Sequence, residues 1–265
     1  MEMKFEHISF GKRLKSMLNV DFRRMLTMPL IYIMAGICFV IPILILVMTT
    51  MMDGMVTVDP NTGVETVIEA FDNTWQAIGS VSGSEMDMSL TGMCNINLVY
   101  FLAAVFVCLF VTDDFRSGYA KNLFTVRSGK TDYVISKTLV GFVGGVFMIL
   151  AFFAGTMLGG AISGLPFDTG TAGTEGIVMC MLSKILLIAV FVPIYVTFSV
   201  LAKQKTWLSM VGSFGVGMLF FMTIPMLTPL DSSIMNVILC LAGGVLFSVG
   251  LGAISNNILR KTSLV

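Results

Sequence analysis

The chain has 265 residues, of which 56% are hydrophobic and only 12% charged, and its mean hydropathy is +0.91. Soluble domains carry about 25% charged residues, so a soluble globular domain is excluded and an integral membrane protein is indicated. The net charge of +0 balances 16 basic against 16 acidic residues; their segregation along the chain speaks to topology and gives no reason to expect a nucleic-acid partner.

In chain order, Leu14, Met17, Leu18, Phe22, Met25 and Leu26 recur at intervals of three and four, with Lys12, Arg13, Lys15, Arg23 and Arg24 on the remaining surface. This spacing predicts an amphipathic helix within residues 1–28, lying in the inner membrane interface. Pro29 then breaks or redirects the chain where it turns into the bilayer. Six apolar runs of spanning length follow, approximately 28–51, 93–112, 133–162, 177–201, 207–227 and 234–254. As helix, each is long enough to cross about 30 Å of hydrocarbon. The first run ends without a small-x-small cleavage site, so it is expected to stay as a membrane anchor.

Residues 52–92 form the one sizeable aqueous excursion, with seven acidic residues (Asp53, Asp59, Glu65, Glu69, Asp72, Glu85 and Asp87) and no basic one. Within it Val64, Val67, Ile68, Phe71, Trp75 and Ile78 follow helical spacing, which predicts a short amphipathic helix on the outer leaflet or capping the spans. The acidity is either a catchment for a cationic substrate or, the preferred reading, the ordinary avoidance of Lys and Arg in translocated loops.

Residues 113–137, between the second and third runs, are polar and carry Arg116, Lys121, Arg127, Lys130 and Lys137 against Asp113, Asp114 and Asp132. A charged segment trapped between two spans lies in water, and its basic excess assigns it to the cytoplasm. With the amino terminus inside, every other basic cluster falls on that side too and only Lys184 does not, which gives six spans with both termini cytoplasmic. Gly129, Lys130 and Thr131 look like the end of a phosphate loop, but Phe124 stands where the first glycine is required, so the chain itself is not expected to bind ATP.

In the third run, Gly141 with Gly145 and Gly155 with Gly159 stand at helical spacing and permit close helix contacts. Lys184 is the one charge well inside a run. It either snorkels outward or marks a polar spot on a transport path. Pro193 in the same run bends its helix. The five cysteines show no paired or metal-like spacing. The sole histidine, His7, precedes the first run, so an intramembrane protease or lipid hydrolase lacks its acid, base or metal ligands.

The order of these parts resembles the membrane subunit of ABC-2 type ATP-binding-cassette exporters, in particular the six-span permeases for lantibiotics, bacitracin-like antibiotics and other amphipathic peptides. The resemblance spans nearly the whole chain as one transmembrane domain, 1–265. It rests on the amphipathic amino-terminal helix, the acidic-Phe-Arg-Ser-Gly series Asp114 to Gly118 after the second span, and a Tyr-x-x-Ser-Lys entry into the third, Tyr133, Ser136 and Lys137. The short connection 227–233 departs from relatives that carry re-entrant helices there.

What the resemblance implies is an all-helical, non-enzymatic permease subunit of the bacterial plasma membrane. It would export an amphipathic peptide, antibiotic or lipid-like cargo together with a second permease copy or homologue and separate ATPase subunits, which would hold the ATP and Mg. Residues 113–137 would be the coupling segment, with Asp114, Phe115, Arg116, Gly118, Tyr119, Lys121, Leu123 and Arg127 facing the ATPase. Phe115, Tyr119, Leu123 and Val126 make a stripe suited to an apolar cleft, with Arg116, Lys121 and Arg127 to pair with acidic groups around it. The alternative is an ATP-independent carrier or an immunity protein that binds its ligand alone.

Overall fold

A computed structural model describes residues 9–58, 65–67, 71–79, 95–126, 130–221 and 223–261. His7, Cys94, Arg127 and most of the acidic 52–92 excursion lie outside them. The described residues form a helical bundle with one small hairpin.

Helix α1, Phe10–Thr27, is amphipathic, and it ends because Met28 turns extended ahead of Pro29. Pro29 then opens α2, Pro29–Met51, at a position where its missing N–H costs nothing. One stripe of α2, Ile31, Ala35, Cys38, Pro42 and Leu46, is buried at intervals of three and four, while Ile33, Val40, Leu44 and Met48 face outward. Such a helix is apolar all round, as a membrane span must be.

The chain next makes an antiparallel hairpin of β1, Val56–Val58, and β2, Glu65–Val67, with Val56 opposite Val67. A 3-10 turn, Thr74–Ala77, follows. The amphipathic helix expected across Val64 to Ile78 is corrected for its described part, Val64 and Ile68 lying outside the described residues: Val67 pairs as strand, Trp75 sits in the 3-10 turn, and the later apolar residues serve another purpose. Phe71, Trp75 and Ile78 are buried, and the Trp75 indole N–H donates to the Phe167 carbonyl at 3.1 Å while its ring stacks on Phe153. This segment closes the end of the bundle away from α1.

Helix α3, Leu98–Arg116, leads through Ser117 and Gly118 to α4, Tyr119–Val126. Gly118 has φ +75, a conformation that only glycine adopts freely, and it breaks the helix into two. Helix α5, Lys130–Ser163, is 34 residues long, about 50 Å at 1.5 Å per residue, so it outruns the hydrocarbon. Helix α6, Gly173–Ala202, and α7, Thr206–Phe221, come next. After Thr223 a single turn, α8, Ile224–Leu227, and a short connection lead to α9, Ile234–Lys261. The expected fifth span, 207–227, is thus divided, because Pro225 has no N–H to bond the Phe221 carbonyl one turn back and its ring crowds that oxygen.

Five helices, α2, α3, α5, α6 and α9, are long and apolar enough to cross a membrane, and α7 is a shorter apolar helix. Two thirds (67%) of the apolar windows of α3 and α6 are buried against 11% for α9, so α3 and α6 form the centre and α9 lies along the flank of α6. The glycine pairs of α5 serve two different contacts. A Cβ at Gly141 would stand 2.8 Å from Val192 and one at Gly145 2.7 Å from Ile188, both on α6. At Gly155 it would strike the Phe39 carbonyl and at Gly159 it would lie 2.9 Å from the Ile43 Cα, both on α2. Close backbone approach of this kind is how spans associate where no hydrophobic effect drives them together. Pro193 leaves the Ala189 carbonyl without its helical donor, and Ser248 of α9 donates to that oxygen at 3.3 Å.

Candidate functional site

The joint between α1, the end of α3 and the start of α5 holds a buried charge cluster. Asp21 of α1, Asp114 of α3 and Lys137 of α5 are all fully buried. The Lys137 ammonium lies 2.8 Å from Asp21 Oδ1 and 2.8 Å from Asp114 Oδ2, bridging the two carboxylates. Arg24 donates to Asp114 Oδ1 at 2.6 Å and stands 3.9 Å from Asp21. Two neutral donors complete the shell: the Ser136 hydroxyl to Asp21 Oδ2 at 2.6 Å and the Tyr133 hydroxyl to Asp114 Oδ2 at 3.0 Å. Two anions and two cations cancel, and every carboxylate oxygen accepts a hydrogen bond or lies against a cation, the condition under which buried charge is tolerated.

Aromatic rings wall the cluster. Lys137 sits 4.2 Å from the Phe110 ring centroid, and the Arg24 guanidinium 4.7 Å from that of Tyr119. Burial alone would lower the Arg24 pKa, but Asp114, Asp21 and Tyr119 outweigh it and hold the guanidinium above its ordinary range. A second pair on the same seam, Arg13 with Asp132 at 3.2 Å, ties the first turns of α1 to the start of α5.

The residues singled out for a partner's surface divide accordingly. Asp114 faces inward and spends its carboxylate on Lys137, Arg24 and Tyr133, so it has nothing left to offer outside. Phe115 is 6% exposed and packs edge-on against Tyr133 at 6.3 Å. The stripe from Phe115 to Tyr119 is not continuous, since the break at Gly118 destroys the i, i+4 relation between them. Arg116 and Lys121 are exposed, whereas Gly118 at the break and Tyr119 and Leu123 on α4 are half-buried. Lys137 and Ser136, noticed in the sequence as a motif entering the third span, are interior partners of α1.

Asp21 escaped the sequence reading although a signal was present. It stands between Met17 and Met25 in the apolar stripe of α1, and those three are the buried residues of that helix. An acid at the centre of an apolar face requires a buried cation.

A second polar centre lies toward the other end of the bundle. Lys184 of α6 is 1% exposed and does not snorkel. Its ammonium donates to Thr228 Oγ1 at 2.9 Å and Asn97 Oδ1 at 3.2 Å, joining α6 to the start of α3 and to the connection after α8. The Tyr100 hydroxyl donates to the Lys184 carbonyl and the Tyr195 hydroxyl to the Tyr100 carbonyl, both at 3.0 Å. Among the described residues no carboxylate pairs with Lys184. Asn97 and Thr228 were invisible as its partners from sequence, being 87 and 44 residues away.

No curated protein and no solved structure matches the chain. A family model described as ABC-2 family transporter protein matches residues 17–225, a stretch that contains the ion cluster and, of the second centre, Lys184 and Asn97 but not Thr228, and that runs from α1 into α8. The chain therefore belongs to the ABC-2 transporter family, as a multi-pass membrane permease component of an ABC transporter.

Proposed function

We propose that this permease works with separate ATPase subunits, which hold the ATP and Mg, and with a second permease copy or homologue. Hydrolysis in the ATPases would drive export of an amphipathic peptide, antibiotic or lipid-like cargo. In this reading both termini and α4 face the cytoplasm of a bacterial cell, and α4 is the surface that an ATPase pushes. Arg116 and Lys121 supply exposed charge for that contact; Tyr119 and Leu123 supply its apolar footing.

The observation that carries the reading is the ion cluster directly behind α4. Asp21, Arg24, Asp114 and Lys137 bind α1, the end of α3 and the start of α5 into one body. Tyr119, the first residue of α4, rests on that body through Arg24. A displacement of α4 is therefore delivered to α3 and α5 together instead of being absorbed by a loose loop. Two packed arrangements of such a body would differ in affinity for cargo, as alternating access requires.

The test is co-purification of the full chain in mild detergent with an ATPase encoded beside its gene. Charge reversal by Arg116→Glu with Lys121→Glu is expected to weaken assembly about tenfold or more and raise its salt sensitivity. Unchanged assembly and unchanged hydrolysis would refute the assignment of α4.

A further inference from the structure

Two grooves meet at Arg116, at the same end of the bundle as the ion cluster. The larger, about 360 Å³, is walled by Phe115 and by four cations, Arg116, Lys121, Lys203 and Lys205. It has no acidic lining residue, and among the described residues none of these four cations forms an ion pair. The smaller, about 170 Å³, runs from Arg116 between the starts of α2 and α7 and the end of α3. Its walls are Met28, Leu30 and Leu109, with Thr112 and Thr206 beside them; its one acid, Asp113, lies 3.8 Å from Arg24 and so is already met by charge.

The level of this composite groove is that of a lipid headgroup. Arg116 ends α3, Ala202 ends α6 and Thr206 opens α7, so the cations sit where apolar helices stop. Trp207 is 65% exposed immediately beyond, and tryptophan at a helix end favours the membrane–water interface. Lys203 has φ +53, the one positive φ of a non-glycine residue among those described. A positive φ strains a residue with a Cβ, and glycine would hold the same turn without that strain. What lysine adds there is a cation aimed at the groove.

We propose that the groove binds an anionic phospholipid, its phosphate-bearing headgroup among Arg116, Lys121, Lys203 and Lys205 and one acyl chain in the Met28–Leu30–Leu109 slot. Basic pockets between spans at the headgroup level select anionic lipid in this way. The apolar slot continuing from Arg116 favours a lipid over an acidic protein segment, which would have no use for it. The assignment does not depend on what the permease carries; it shares Arg116 and Lys121 with the α4 surface proposed for the ATPase, while Lys203 and Lys205 belong to the lipid site alone.

The chain has 2 tryptophans, so Trp75→Phe leaves Trp207 as the reporter beside the site. The full chain is placed in phosphatidylcholine nanodiscs and titrated with phosphatidylglycerol brominated near the headgroup end of its chains, and in parallel with phosphatidylcholine brominated alike. The phosphatidylglycerol is expected to quench Trp207 at much lower mole fraction. Lys203→Gln with Lys205→Gln is expected to weaken this preference about twentyfold, and each single change about fivefold. The single changes guard against a misfolded double variant.

Equal quenching by the two lipids, or a preference that survives the double change, overturns the proposal. So does abolition of the preference by inorganic phosphate at constant ionic strength, which would make the site one for free phosphate. Absence of a lipid preference combined with loss of ATPase assembly in the double variant would make the groove a protein-docking surface and overturn it likewise.

Discussion

Removing Lys137 probes the ion cluster most sharply. In Lys137→Met the volume stays similar while a cation that lies 2.8 Å from each of two buried carboxylates disappears. The consequences for the two acids differ. Asp114 keeps Arg24 at 2.6 Å and the Tyr133 hydroxyl at 3.0 Å. Asp21 keeps only the Ser136 hydroxyl at 2.6 Å, with Arg24 no nearer than 3.9 Å. The penalty therefore falls on Asp21, a fully buried anion left nearly unpaired, and its size is about 3–5 kcal/mol. Adding Asp21→Asn removes the stranded charge, and the double variant is expected to recover about 1–3 kcal/mol relative to the sum of the single changes. Unfolding of the full chain in mixed micelles by titration with sodium dodecyl sulfate, followed by helicity, reads both quantities. A cost below about 1 kcal/mol for Lys137→Met, or simple additivity with Asp21→Asn, would refute the reasoning.

Three further variants probe the packing and the second polar centre. Gly155→Ala is expected to destabilise by about 1–3 kcal/mol in the same titration, because its methyl group meets the Phe39 backbone, which cannot swing aside. Gly36→Ala, on α2 with open space around it, is expected to be neutral or stabilising by up to about 1 kcal/mol. Lys184→Met is expected to hold stability within about 1 kcal/mol of wild type, since its partners Asn97 and Thr228 are neutral and no carboxylate is stranded. If Lys184 lies on the transport path, the same variant loses uptake of a labelled cationic amphipathic peptide by inside-out vesicles.

What the sequence disclosed, and what it withheld, follows from the range of the interactions. Apolar run length is a local property, and the helices occupy the expected runs apart from the break at Thr223. Pro29 marked the corner between α1 and α2, and the two glycine pairs marked close approaches, because each acts through its own backbone. Which helix each pair meets was not legible: one faces α6 and the other α2. Spacing failed at Val67 and Trp75, which stand in a strand and a 3-10 turn, because so short an apolar pattern satisfies strand and helix alike. It failed again across Gly118, where one positive φ separates Phe115 from the residues that follow it. Charge was the most misleading guide. Asp114 and Lys137 fall in a polar stretch and read as aqueous, yet their partner Asp21 is 116 residues from Lys137 and completes a buried cluster no local window contains.

The account's central claim is that force applied at α4 reaches the spans through that cluster. It is tested most directly by measuring ATP hydrolysis and peptide transport together, in proteoliposomes of the permease with its ATPase, for the charge-balanced variant Lys137→Met with Asp21→Asn. The account predicts that the ATPase still binds and hydrolyses while peptide moved per ATP falls well below wild type. An unchanged ratio, with the variant folded and assembled, would contradict it.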